Sequence, residues 1–146
     1  MLKFYQDLIF SVSECIFCKI VKGELKAYKI YEDDKCIAFL DINPINPGHT
    51  LVVPKKHVEN ILEADDDTIS AVFRAVREVS KLLIKKLGAS GVNIIHNAGR
   101  AANQEIMHLH VHVIPRYDPG DIGLVDWWRK NVKKLDLEDI YRRIIS

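Results

Sequence analysis

The chain has 146 residues, 48% of them hydrophobic, with 21 basic against 20 acidic side chains and a formal charge of +1. That is one domain's length with material for a core, and neither the charge balance nor any basic stripe with interleaved aromatics recommends a nucleic-acid or membrane partner. Three cysteines, two of them in Cys15-x-x-Cys18, make no disulfide framework and fit a reducing, cytoplasmic compartment.

Residues 1–14 read as an N-terminal arm. They are mildly amphipathic, without the apolar run and small-residue cleavage site of a secretion signal, and no later segment has the length needed to cross a bilayer. Residues 29–32 and 36–41 read as strands around the polar turn Asp33-Asp34-Lys35. The two prolines of Asn43-Pro44-Ile45-Asn46-Pro47-Gly48 exclude strand interior. Strand character returns over residues 49–53 and stops at Pro54, an order that predicts an antiparallel meander. A long helix follows, with Ile69, Val72, Phe73, Val76, Val79, Leu83 and Leu87 in one apolar stripe. Asp65, Asp66 and Asp67 suit its start, Lys85 and Lys86 its end, and Gly88 a left-handed stop; a capped, solvated helix end accounts for the aspartates. Residues 92–97 read as a further strand, and 98–104 as a loop. The layout is α+β, an antiparallel sheet with helices on one side. Residues 118–146 form an extension: a turn at Asp118-Pro119-Gly120-Asp121, the pair Trp127-Trp128 (packed on the domain or rimming a site), and a short helix capped by Asp136 whose apolar face is Leu137, Ile140, Tyr141, Ile144 and Ile145.

The chemistry concentrates in His108, His110 and His112, three of the chain's six histidines. They alternate with Leu109, Val111 and Val113, so strand geometry sets all the rings on one face, neighbours roughly 7 Å apart at their attachment points. Scattered surface histidines would not alternate in this way. The face must line a metal, an anion, or both; a three-histidine metal site is a rival to anion chemistry. Cys15-x-x-Cys18 supplies half of a four-ligand zinc site, with reduced thiols or a redox pair as the alternatives. The redox pair is the weaker of these, because the motif does not join a strand to a helix in a β-α-β unit. Cys36 reads as a small buried apolar residue, and His96 as a strand residue without a functional role.

His108-Leu109-His110-Val111-His112-Val113-Ile114 resembles the signature of the histidine-triad (HIT) family of nucleotide hydrolases and transferases. Residues 15–20, 38–42 and 48–57, with Asn97-Ala98-Gly99 and Gln104-Glu105, match in consistent order, so the resemblance covers residues 15–117 and is closest to the Hint-like branch with a zinc-binding C-x-x-C. It implies a five-stranded antiparallel sheet with one long and one short helix, two sheets joining across a homodimer. It also implies action at the α-phosphorus of purine nucleoside monophosphate conjugates (AMP or GMP type), such as phosphoramidates, through a nucleotidyl-histidine intermediate. Dinucleoside polyphosphate hydrolysis and a non-catalytic nucleotide-binding module are the alternatives.

Residue by residue, the resemblance makes His110 the nucleophile, with Nδ1 keeping its proton on a backbone carbonyl so that Nε2 attacks. His112 becomes a donor to a phosphate oxygen or the leaving group, a general-acid or electrostatic role, and His49 approaches from the neighbouring strand. Asn97, Gln104 and the backbone N–H groups near Glu105 and Ile106 hold the phosphate, Asp41 the ribose hydroxyls, and Ile20, Leu25, Phe39 and Ile42 the purine. Cys15, Cys18, His57 and His108 are the implied ligands of a structural zinc. Two departures stand out: Glu105 occupies a position where many eukaryotic members have serine, and Asn103 replaces a glycine common in the loop.

Overall fold

The computed structural model describes residues 15–119, 121 and 136–146. The N-terminal arm and Trp127-Trp128 lie outside the described residues.

Five strands form one antiparallel sheet: β1 (Lys29–Glu32), β2 (Cys36–Leu40), β3 (Thr50–Pro54), β4 (Gly91–Ile95) and β5 (Val111–Arg116), in the order β1-β2-β3-β5-β4. The first three make the expected meander. The chain then crosses through a long helix, α2 (Asp66–Leu87), and returns so that β5 lies between β3 and β4. That order sets the histidine strand beside the strand following His49.

Helix α2 begins where Asp65 accepts the Thr68 N–H at 2.8 Å and stops at Gly88, φ +73°. Its buried stripe, from Ala71 and Val72 through Val79 to Leu83 and Leu87, packs on one sheet face with Ala38, Val52, Leu109, Val111 and Val113. Phe73, placed by spacing in the stripe, is 42% exposed, because the stripe turns toward Ala71 and Ala75 and leaves residue 73 on its outer edge. The C-terminal helix α3 (Leu137–Ile145) is capped by Asp136 and buries Ile140 and Ile144 in the same cluster, whereas Ile145 faces outward.

The helices do not all lie on one side. A third, α1 (Ile16–Val21), covers the opposite face, where Cys15, Phe17 and Cys18 pack with Ile37, Phe39, Leu51 and Val53. Strands β2 and β3 are therefore buried on both faces, which explains why their sequences run apolar rather than alternating. The histidine row also joins the ladder later than its alternation suggests: β5 begins at Val111. His108 and His110 precede it, in a segment held instead by bonds outside the ladder such as Leu109 N–H to Val58 C=O at 2.7 Å. The alternation of faces still holds, with Leu109 in the α2 core and the His108 and His110 rings against Phe17.

Candidate functional site

Two clusters of ligating side chains share this face, and both contain triad histidines. In the first, Cys15 occupies the N-cap position of α1 and Cys18 lies one turn on, aiming both sulfurs at His57 and His108. Cys15 Sγ and Cys18 Sγ stand 3.4 and 3.6 Å from His108 Nδ1, Cys18 Sγ 3.3 Å from His57 Nδ1, and the two ring nitrogens 3.1 Å apart. All four donor atoms fall within 4.8 Å of one another, the compact soft set that a tetrahedral zinc takes. His108 Nε2 donates to the Pro54 carbonyl at 2.8 Å, so Nδ1 presents a lone pair to the cluster. Burial, then the neighbouring Cys15, pushes the Cys18 thiol up to about 11. A dication among the sulfurs works in the opposite direction.

The second cluster is Asp41, His49 and His112. Here the backbone rules against a metal. Ile45 N–H donates to His49 Nδ1 at 3.0 Å, which puts the His49 hydrogen on Nε2. That N–H points at His112 Nδ1, 2.9 Å away, with Asp41 Oδ2 at 3.5 Å. A ring holding its hydrogen where the metal would sit is a hydrogen-bond donor. His112 Nδ1 thus accepts, and its own hydrogen is left on Nε2.

His110 stands between these clusters, its ring 5.2 Å from both Phe17 and His112 and only 7% exposed. Its Nδ1 donates to the His108 carbonyl at 2.7 Å, leaving the lone pair on Nε2. Burial lowers the pKa of His110 and brings that of His112 to about 4, opposed in His110 by the bond to the His108 carbonyl. Both rings are uncharged near neutrality.

The surrounding loop is held by Gln104. Its amide accepts from Gly99 N–H at 2.8 Å and from Asn60 Nδ2 at 3.2 Å, and donates to the Glu59 and Ile106 carbonyls at 2.6 and 2.9 Å. The side chain expected at the phosphate is committed to the loop itself. Asn103 has φ +72°, a left-handed conformation that asparagine adopts more readily than most residues, so the loop keeps its turn without glycine. Glu105, Ile106 and Asn97 are half-buried. Asp41 Oδ1 accepts from Asn43 N–H at 2.8 Å, turning the chain toward His49. Of the expected purine contacts, Phe39 is buried against Phe17, Ile20 packs at that cluster's edge, and Leu25 and Ile42 are 43% and 73% exposed. A cavity of about 370 Å³ lined by Lys35, Lys55, Lys56, Asp65 and Asp67 among others lies apart from all three triad residues.

Residues 22–119 match the HIT domain model. The chain belongs to the histidine-triad family. It is 49% identical over 130 residues to a HIT-like protein of Methanocaldococcus jannaschii, covering 89% of this chain and 98% of that one. It is 40% identical over 123 residues to the adenosine 5'-monophosphoramidase of Candida albicans, covering 80% of each. Among solved structures, a zinc-bound histidine-triad protein from Mycobacterium smegmatis superposes with a TM-score of 0.82 at 32% identity, over 92% of this chain and 93% of that one. Among the described residues no helix is long and apolar enough to cross a membrane.

Reading by sequence missed His96, whose Nε2 accepts from Ile61 N–H at 3.1 Å and whose Nδ1 lies 3.0 Å from the His110 carbonyl. It also missed Asn60, which braces Gln104. Neither carries a local motif, since His96 meets backbone groups of Ile61 and His110, and Asn60 a side chain, that only folding brings close.

Proposed function

We propose that this protein hydrolyses purine nucleoside monophosphate conjugates at the α-phosphorus through a nucleotidyl intermediate on His110. The observation that carries the reading is the hydrogen bond from His110 Nδ1 to the His108 carbonyl, in a ring kept uncharged by burial. It aims a neutral Nε2 as nucleophile, and imidazole is both a competent attacking group and a good leaving group from phosphorus. As the Nε2–phosphorus bond forms, the bond to the leaving group breaks; water then displaces His110 and releases the nucleoside monophosphate.

His112 serves as a fixed donor. A second proton on its ring would occupy Nδ1, facing the His49 N–H at 2.9 Å, so His112 works electrostatically, through Nε2–H on a phosphate oxygen or the leaving group. Asp41, which faces the His49 N–H, accepts from the ribose hydroxyls in this reading. Gln104 shapes the loop whose backbone N–H groups, near Glu105 and Ile106, meet the phosphate with Asn97. Ile20, Leu25, Phe39 and Ile42 form the apolar side toward the base. Cys15, Cys18, His57 and His108 would hold a structural zinc, which supplies charge and cross-linking and leaves no open position for water.

A homodimer completes the proposal. Strand β4 is an edge of the described sheet and half-buried along its length, with Ile94 48% exposed. An edge of that kind accepts a second strand, here from a second copy of the chain.

The test is turnover of adenosine 5'-phosphoramidate, with a diadenosine polyphosphate assayed in parallel to rank leaving groups. His110→Ala is expected to lower kcat by roughly a thousandfold or more while AMP still binds, and the wild type to trap an acid-labile nucleotidyl label on His110. Wild-type rates in the variant would refute the nucleophile. A wild type with neither turnover nor label would leave a nucleotide-binding module.

A further inference from the structure

The structure assigns His96 a positioning role: by bridging Ile61 N–H to the His110 carbonyl it fixes the backbone of the proposed nucleophile. The inference rests on the reading of His110 given above.

The β4–β5 ladder pairs Gly91 with Arg116 and continues to Ile95 opposite His112. The same register, continued two residues, would set Asn97 opposite His110. Instead β4 ends at Ile95 and the chain turns into the loop of Gly99 and Gln104. The His110 carbonyl, in a buried residue, loses a ladder partner where the two strands part. A buried carbonyl left without a partner is costly, so something else must meet it. His96 does. Because Ile61 N–H donates to Nε2 at 3.1 Å, the ring's hydrogen is on Nδ1, which donates to the His110 carbonyl at 3.0 Å.

The bridge ties together two segments that also carry other parts of the site. Ile61 belongs to the stretch after His57, anchored by Val58 C=O to Leu109 N–H and by the Gln104 amide to Glu59 and Asn60. On its other side, residues 108–110 lie outside the ladder, and the His110 ring depends on its Nδ1 bond to His108 C=O. If the His110 carbonyl swings to find a new partner, the ring's attachment moves with it, and a displacement of 1 Å can cost on the order of a hundredfold in rate.

His96→Phe keeps the ring's bulk and removes both bonds. With adenosine 5'-phosphoramidate its kcat is expected to fall about tenfold or more while KM stays within about threefold. His96→Gln, whose amide donates and accepts, is expected to recover most of the loss. Should the Phe variant not fold, His96→Asn, too short to span both partners, replaces it in the comparison. Unchanged kcat, or a loss carried by KM and not rescued by Gln, would overturn the assignment. If the wild type shows no turnover, the proposed function fails first, and nitrogen-15 NMR of the His110 ring still decides this inference. A single Nδ1–H form in the wild type that becomes a mixture in the variant supports it; the same single form in both overturns it.

Discussion

Gly48→Ala would test whether the turn before β3 is built around a residue without a side chain. Gly48 has φ +90°, and a Cβ there would lie 2.5 Å from Leu87 Cδ1, 3.2 Å from Pro115 Cγ and 3.3 Å from Leu83 Cδ2. Two costs add. Holding alanine in the left-handed region costs roughly 1–2 kcal/mol, and forcing a methyl group into the buried contact of α2 with β5 costs roughly 1–3 kcal/mol. The leucine methyls can turn aside, but both residues are buried, so part of the overlap remains. The expected loss is roughly 2–5 kcal/mol, and for a chain of this size a drop in Tm of roughly 10 °C. The measurement is urea unfolding at neutral pH, with Gly91→Ala as control, since nothing lies within 4 Å of a Cβ at Gly91 and its φ lies outside the left-handed range. Because the next residue is His49, held by Ile45 N–H and facing His112, the folded fraction of Gly48→Ala should also turn over more slowly. Loss within about 0.5 kcal/mol of the Gly91 control would refute the steric argument.

Two further predictions follow from the buried groups. Cys18→Ser should bring bound zinc, measured by release to a chromogenic chelator, from about one per chain to well below that, and lower Tm; equal zinc in both proteins would remove Cys18 from the donor set. His112, which burial brings from 6.5 to about 4, takes its proton more readily in the unfolded chain. Its contribution to stability is present above pH 6.5, declines as the pH falls toward 4, and reaches a loss of about 3 kcal/mol below that. Between pH 7 and pH 4.5 the wild type should therefore lose about 2 kcal/mol more stability than His112→Asn in urea unfolding. Acid release of a metal affects both proteins alike and cancels in the difference; parallel curves would show that the ring is not desolvated.

The fold was most legible where a single physical signal dominates. Helix α2 runs from Asp66 to Leu87 because a side-chain cap, a long apolar stripe and a left-handed glycine agree. Strand β1 coincides with its expected residues for a similar reason, since a polar turn ends it. Phe73 shows the limit of periodicity: steps of three and four residues define a stripe wide enough to admit it, and only the packing of Ala71 and Ala75 on the sheet tells which edge is exposed. Helix α1 has six residues, too few to nucleate alone, and forms because Phe17 and Cys18 have Phe39 and Val53 beneath them. Its position on the second sheet face was hidden for that reason, although the unbroken apolar runs of β2 and β3 held the clue.

The site was legible in its residue types and less so in its division of labour. Three histidines at alternate positions are chemically identical in a sequence, and here the group bound to each ring's other nitrogen separates them. Pro54 C=O takes the His108 Nε2 hydrogen and turns Nδ1 toward the thiols; His108 C=O takes the His110 Nδ1 hydrogen and leaves the lone pair on Nε2. His49, itself fixed by Ile45 N–H, makes His112 accept at Nδ1 and donate at Nε2. Two of these partners are backbone carbonyls and one depends on a backbone N–H, groups that every residue carries and no motif records. The same applies to Gln104, whose residue type suggests phosphate binding but whose amide is taken up by Glu59, Asn60, Gly99 and Ile106. Substituting a ring therefore tests a residue, whereas moving a backbone group, as Gly48→Ala does next to His49, tests the arrangement that gives the ring its role.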